Sequence, residues 1–159
     1  MEDVFITEIS KGDERLDQVE KLFAAFYKGM QQQGLGMVMV DQGEILWRSS
    51  VEKTLGKFNT IVIAEIESEV VGFAWGSIKI APNYLGSNLH GFVGGIYVIP
   101  NSRKKNIAKQ MYHQLEVWFT SRKVHSFELQ VLSENLGAMK FWEQCGFGYE
   151  LNQMRKLNN

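Results

Sequence analysis

At 159 residues the chain is long enough to bury a hydrophobic core and short enough to form one domain, which we expect to span residues 1–159. Its 45% hydrophobic content is typical of a globular protein, and its net charge of −1 lacks the basic excess of nucleic-acid-binding proteins. The single cysteine, Cys145, excludes an intrachain disulfide and favours a reducing, cytoplasmic location. We therefore expect neither a nucleic-acid partner nor a membrane partner.

Hydrophobic periodicity predicts the first elements in chain order. Alternating residues over 4–9 indicate a strand, and apolar residues on one helical face over 16–30 indicate a helix. Asp41 followed by Glu44 resembles a capping pair, which predicts a second helix over 44–55. Residues 60–66 and 70–80 are predicted to be strands, and the short connection around Ser68 makes them a β-hairpin.

The second half of the chain alternates strands and helices. The predicted elements are a strand over 91–99, a helix over 107–119, a strand over 125–131, a helix over 135–145 and a strand over 149–154. The order β-α-α-β-β-β-α-β-α-β predicts an α/β (α+β) fold. In it, a mixed, mostly antiparallel central sheet carries helices on both faces.

The strongest functional signal lies between the fourth strand and the third helix. The strand ends at Pro100, and Arg103, Lys104 and Lys105 follow just before the helix. The first N–H groups of a helix are unpaired and carry partial positive charge, so adjacent cations make an anion site. The pattern predicts a loop that binds phosphate or pyrophosphate, and the plainer alternative is a solvated charged surface.

Two signatures resemble the GNAT superfamily of acyl-CoA-dependent N-acetyltransferases over nearly the whole chain. The family's pyrophosphate loop, Arg/Gln-x-x-Gly-x-Gly/Ala, is matched by the residues from Arg103 to Ala108. The family's Asn-x-x-Ala-x-x-Phe-Tyr-x-x-x-Gly-Phe stretch is matched from Asn135 to Phe147. The resemblance implies a GNAT-like fold with acetyl-CoA as cosubstrate.

The resemblance also implies which residues contact coenzyme A. These are Ile96, Val98, Arg103, Lys104, Lys105, Asn106, Ile107, Ala108, Asn135 and Trp142. It further implies that the backbone N–H of Val98 stabilises the oxyanion, where the fourth and fifth strands splay apart. Asn106 replaces a family glycine and is expected to adopt positive φ, which asparagine tolerates. For Asn135, capping of the last helix is the alternative to a coenzyme contact.

The groups that transfer protons are left open by the sequence. Many relatives place a carboxylate late in the fourth strand, but here Gly94 and Gly95 stand there. Glu128 and Tyr97 are therefore the candidate catalytic side chains. A solvated strand face and simple packing are their plainer explanations, and a base acting through ordered water is a third alternative. Trp142 replaces the tyrosine proposed to protonate the leaving thiolate, and an indole does not titrate usefully.

The predicted function is transfer of an acetyl group from acetyl-CoA to a primary amine, with a small molecule as the expected acceptor. The alternatives are a non-catalytic acyl-CoA-binding module and, within the enzyme class, acetylation of a protein lysine or N-terminus. The resemblance places Tyr27, Met30 and Trp47 in the acceptor pocket, although core packing explains them nearly as well. The scattered histidines predict no metal. A homodimer is left open.

Overall fold

The computed structural model describes residues 2–158, in which five strands and four α-helices form one mixed fold. In chain order they are β1 (Phe5–Glu8), α1 (Leu16–Gln32), α2 (Gly43–Glu52), β2 (Asn59–Ile66), β3 (Glu69–Ile80), β4 (Leu89–Val98), α3 (Ile107–Ser121), β5 (Ser126–Leu129) and α4 (Leu136–Gln144). No helix among the described residues is long and apolar enough to cross a lipid bilayer.

The strands form one sheet in the order β1-β2-β3-β4-β5, and every neighbouring pair is antiparallel except β4 and β5. The predicted mixed, mostly antiparallel sheet is therefore confirmed. The predicted hairpin is β2–β3, and its turn residues Glu67 and Ser68 both adopt positive φ, at 49° and 67°. Two consecutive left-handed residues match the right-handed twist of a hairpin.

Helices cover both faces of the sheet, as predicted. On one face α1 and α2 pack on an aromatic core around Phe23 and Phe73. On the other face α3 buries Met111, Leu115 and Phe119, and α4 contributes half-buried side chains to the same cluster. The apolar stripes that predicted these helices are the faces that pack against the sheet. This packing, more than helix propensity, stabilises the helices.

β4 and β5 separate halfway along β4, which creates the opening on which the site is built. Their parallel pairing runs only from His90 opposite Ser126 to Val93 opposite Leu129. β4 continues to Val98, paired over this stretch with β3 alone. Gly94 is the extra residue of a bulge at the point of separation, because Trp75 pairs with Gly95 and the next β3 residue pairs with Val93.

Two sequence predictions are wrong. The final strand over 149–154 does not form, so the sheet has five strands within the described residues instead of the six predicted. Leu151 and Met154, both within the predicted strand, are 87% and 93% exposed and find no sheet face to cover. The capping pair is also absent: α2 begins at Gly43 after Gln42, which has φ of 57° and makes no side-chain cap.

Candidate active site

The edge of β4 beyond the separation point presents backbone hydrogen-bonding groups that no strand of the described chain pairs with. The Ile99 N–H donates to the Val71 carbonyl oxygen on β3, at 2.9 Å. Backbone groups alternate in direction along a strand, so the N–H and C=O groups of Ile96 and Val98 point to the opposite, open edge. The Val98 carbonyl accepts a hydrogen bond from Arg103 Nε at 2.8 Å, and the N–H groups of Ile96 and Val98 face the opening.

The loop that follows β4 has the backbone of an anion-binding turn. Lys104 and Asn106 both adopt left-handed conformations, with φ of 63° and 62°. Asn106 is the N-cap residue of α3, so the positive φ expected at this position is confirmed. In anion-binding turns, left-handed residues help to direct successive N–H groups toward one anion. The unpaired N–H groups of the first turn of α3 follow directly in the chain.

Full charges surround these donors. Arg103 folds back along the strand end, with its Cζ 5.5 Å from the centroid of the Tyr97 ring. Lys105 Nζ lies 3.3 Å from Glu2 Oε2, but both side chains are about half exposed, so solvent weakens the pair. A phosphate could therefore displace Glu2 at little cost. The two left-handed residues, the cations and the helix N-terminus together fit a pyrophosphate group.

Ile107 and Ala108 form the start of α3, where the backbone N–H groups have no partner within the helix. The Ile107 side chain is buried beneath α3 at 2% exposure, and Ala108 packs against the same core. These contacts fix the start of the helix, so its free N–H groups keep their direction toward the loop.

The conformation of Asn106 makes a testable prediction. Asn106→Gly should keep or slightly improve affinity for coenzyme A, because glycine adopts positive φ without strain. Asn106→Val should weaken binding by about tenfold or more, because a left-handed β-branched residue costs about 1–2 kcal/mol. Isothermal titration calorimetry of both variants checks this, with circular dichroism to confirm folding. Equal affinities would contradict the proposed role of the backbone here.

α4 places two predicted residues in mainly structural contacts. Asn135 Oδ1 accepts a hydrogen bond from the Ala138 N–H at 3.1 Å, so it caps the helix, which was the alternative interpretation. The Trp142 ring lies edge-on to Tyr112 and Phe147, at 5.5 and 5.4 Å between centroids. Trp142 is thus packed onto the core cluster around α3, with part of its ring still exposed.

Tyr112 was missed by the sequence analysis, because only the fold brings its phenol next to Trp142. Burial, reinforced by the neighbouring carboxylate of Glu116, raises the pKa of Tyr112 far above its usual value. Its O–H donates to Glu116 Oε2 at 3.0 Å. A buried phenol with a raised pKa that already donates to a carboxylate is a poor replacement for the missing family acid.

Aromatic rings cover the strand where many relatives carry a carboxylate. A Cβ atom added to Gly94 would lie 2.2 Å from the Trp75 ring, and one added to Gly95 would lie 2.6 Å from the Phe26 ring. The bulge turns both glycines toward α1, so both rings rest directly on the β4 backbone. Neither ring was identified from the sequence as part of the site, since this contact depends on the strand register.

The structure does not bring the two candidate catalytic side chains together. Glu128 lies opposite Phe92, at the closed end of the opening, and is exposed. Tyr97 lies five residues further along β4, roughly 15 Å away at the usual rise of a strand. It packs beside Phe26, with 6.4 Å between ring centroids, near the loop end of the opening. A base at Glu128 and a group at Tyr97 would therefore act at opposite ends.

The three candidate acceptor residues differ in their surroundings. Trp47 stacks on Phe23 at 4.0 Å with an angle of 2° between the ring planes, so it belongs to the core between α1 and α2. The Tyr27 O–H donates to the Met37 carbonyl oxygen at 3.0 Å and ties the loop after α1 to the helix. Met30 is half-buried near the end of α1.

No group of three or more potential metal-ligating side chains comes together among residues 2–158. The polar groups around the opening are instead backbone N–H groups, cations and one carboxylate.

Comparison with known proteins identifies the family of the chain and several solved structures with a similar fold. The sequence profile of the Acetyltransferase (GNAT) family matches residues 30–147. No curated protein sequence matches the chain.

Three solved structures illustrate the likeness in fold. The aminoglycoside N-acetyltransferase AAC(6')-Iy in complex with CoA has a TM-score of 0.79 at 19% identity, covering 99% of this chain and 96% of that one. A protein described as a transcriptional regulator from Bacillus halodurans C-125 has a TM-score of 0.76 at 18% identity, covering 98% and 100%. An aminoglycoside acetyltransferase from an uncultured soil metagenomic sample, in complex with sisomicin, has a TM-score of 0.70 at 13% identity, covering 98% and 95%.

Proposed function

Because the chain belongs to the GNAT acetyltransferase family, we propose that it transfers the acetyl group of acetyl-CoA to the primary amine of a small molecule. The observation that carries this proposal is the open edge of β4, whose free N–H groups lead directly into the anion-binding loop before α3. The loop fits the pyrophosphate of the donor, and the edge offers hydrogen bonds to an extended chain that follows the strand.

The reaction forms a bond between the amine nitrogen and the acetyl carbon and breaks the bond from that carbon to sulfur. Negative charge develops on the carbonyl oxygen, where a fixed N–H donor is worth about 10²–10³ in rate. The N–H groups of Ile96 and Val98, both directed into the opening, are the donors that this chain supplies there. The products are the amide and the free thiol of coenzyme A.

Protons must leave the amine for the reaction to proceed. An alkylammonium has a pKa near ~10, so near neutral pH a base has to accept a proton before attack. Glu128 lies at the closed end of the opening, about 10 Å or more along β4 from Ile96, so as the base it would accept the proton through ordered water. The leaving thiolate has a pKa of about 8.5 and depends less on an acid.

The test is amine-dependent release of free thiol from acetyl-CoA, with acetylated product identified by mass spectrometry. Turnover that requires both substrates supports the proposal. Binding of CoA without amine-dependent thiol release supports the second candidate, a non-catalytic acyl-CoA-binding module. The rings over Gly94 and Gly95, and Trp142 in place of a phenol, favour that candidate because they remove the usual proton-transfer groups.

Trp142 gives a prediction about pH dependence. If no protein acid protonates the thiolate, the rate should fall at low pH, as amine and base protonate, without a matching fall at high pH. Trp142→Tyr should keep activity and add a falling limb near the phenol's pKa of about 10. Profiles of kcat/KM for both proteins check this. A bell-shaped profile in the unmodified protein would indicate a surviving acid. Tyr97→Phe and Tyr149→Phe would then identify which phenol supplies it.

A further inference from the structure

We propose that the acceptor is a monoamine with an apolar body, aliphatic or aromatic, and not a polycation of the aminoglycoside type. The inference rests on the proposed function and concerns the surfaces that face the opening from the α1 side of the sheet. Three observations carry it: an aromatic floor, a wall without acidic residues, and two strand charges that balance each other.

The floor of the opening is made of rings. Trp75 and Phe26 cover the β4 backbone at Gly94 and Gly95, in the space where a carboxylate would project. Trp75 Nε1 donates to Asn59 Oδ1 at 3.1 Å, so its polar atom is used within the protein and its ring carbons lie against β4. Such a floor offers contact area and cation–π attraction for one ammonium, but no hydrogen-bond acceptor for several.

The wall formed by the end of α1 and the loop after it has no charged residue of its own, and the side chain that lies against it at Gly36 is that of a cation, Arg155. Residues 29–40 contain no Asp, Glu, Lys or Arg. The loop is attached to α1 by the hydrogen bonds from Tyr27 to Met37 and from the Met39 N–H to Gln31 Oε1, at 3.0 and 3.2 Å. Met37 and Val38 remain 57% and 73% exposed, so apolar surface is available beside the opening.

The strands contribute two opposite charges to this side. Lys79 on β3 lies on the same side as Phe73, which packs against α1, and Glu128 on β5 lies on that side as the partner of Phe92. Within the described chain, they are the charged residues of β3–β5 on that side. Both flank Phe92: Lys79 Nζ lies 3.8 Å from its ring centroid, and Glu128 is its partner on β5. One carboxylate, Glu128, cannot neutralise several ammonium groups of an acceptor, and the cations Lys79 and Arg155 would repel them.

The sharpest comparison uses two amines of equal size. Hexylamine and 1,5-diaminopentane differ only in a terminal methyl group against a second ammonium group. Thiol release with acetyl-CoA should give a kcat/KM at least tenfold higher for hexylamine. Along the series from propylamine to hexylamine, kcat/KM should rise by about two- to fourfold per methylene, as expected for transfer onto apolar surface.

A matched pair of variants tests the wall directly. Met30 lies one helical turn beyond Phe26 on the same face of α1, near the end of the helix. Met30→Glu should raise kcat/KM for 1,5-diaminopentane about tenfold relative to Met30→Gln, which has the same size without the charge. Both variants should fold alike, which thermal unfolding checks.

The outcomes separate the acceptor class from the activity itself. A higher kcat/KM for hexylamine, together with an increased kcat/KM for 1,5-diaminopentane in Met30→Glu, supports the inference. Equal or better use of 1,5-diaminopentane, neamine or sisomicin, with no dependence on chain length, overturns the acceptor class and leaves the acetyltransferase activity standing. Absence of thiol release with every amine, from a protein that binds CoA, overturns the proposed function and the acceptor with it.

Discussion

Replacing Arg103 by glutamate will weaken the binding of coenzyme A by about 100-fold or more, which corresponds to about 3 kcal/mol. The guanidinium lies beside the left-handed residues Lys104 and Asn106 and donates to the last carbonyl of β4. Charge reversal replaces an attraction to pyrophosphate by a repulsion and also removes the Nε hydrogen bond to Val98. Calorimetric titration with CoA measures the loss.

Lys28→Glu is the matched control, since it makes the same change of net charge on an exposed position of α1. Its affinity for CoA should stay within about twofold of the parent at 0.15 M salt, where exposed distant charges are screened. Titrations in 0.05 and 0.3 M salt should show a weaker salt dependence for Arg103→Glu than for the parent. Unchanged affinity in Arg103→Glu would refute the assignment of this loop to phosphate.

The anion-binding loop could be predicted because its determinants are local. A strand end, three cations and a helix start follow one another within a few residues. The positive φ that the loop needs at position 106 could be inferred because asparagine tolerates it. The β2–β3 hairpin could be predicted for the same reason, since Glu67 and Ser68 form its whole connection. Local patterns survive folding when no distant contact opposes them.

The acceptor side could not be predicted because it depends on the register between distant strands. An alternating pattern assigns neighbouring residues to opposite faces, but the bulge turns Gly94 and Gly95 to the same face. The rings that cover them come from α1 and β3, far away in sequence. The missing final strand has a similar origin, because residues 149–154 can form a strand only if a sheet edge receives them.

The aromatic floor also explains why the chain carries glycine where relatives carry a carboxylate, and this can be measured as stability. Gly94→Ala should lower the free energy of unfolding by about 2–3 kcal/mol, because its Cβ would enter the Trp75 ring and force the ring or the strand to move. The melting temperature should fall by about 4–12 °C. Differential scanning calorimetry measures both quantities.

Gly29→Ala provides the opposite expectation within the same protein. Gly29 lies inside α1 with no atom within 4 Å of an added Cβ, so alanine should stabilise the protein by about 0.5–1 kcal/mol through helix propensity. Trp75→Leu identifies the cause at Gly94: combined with Gly94→Ala, it should destabilise less than the sum of the two single changes, because the smaller side chain leaves room for the methyl group. If the two changes in unfolding free energy were strictly additive, Trp75 would not occupy the space of a side chain at position 94. The carboxylate position would then be open to substitution.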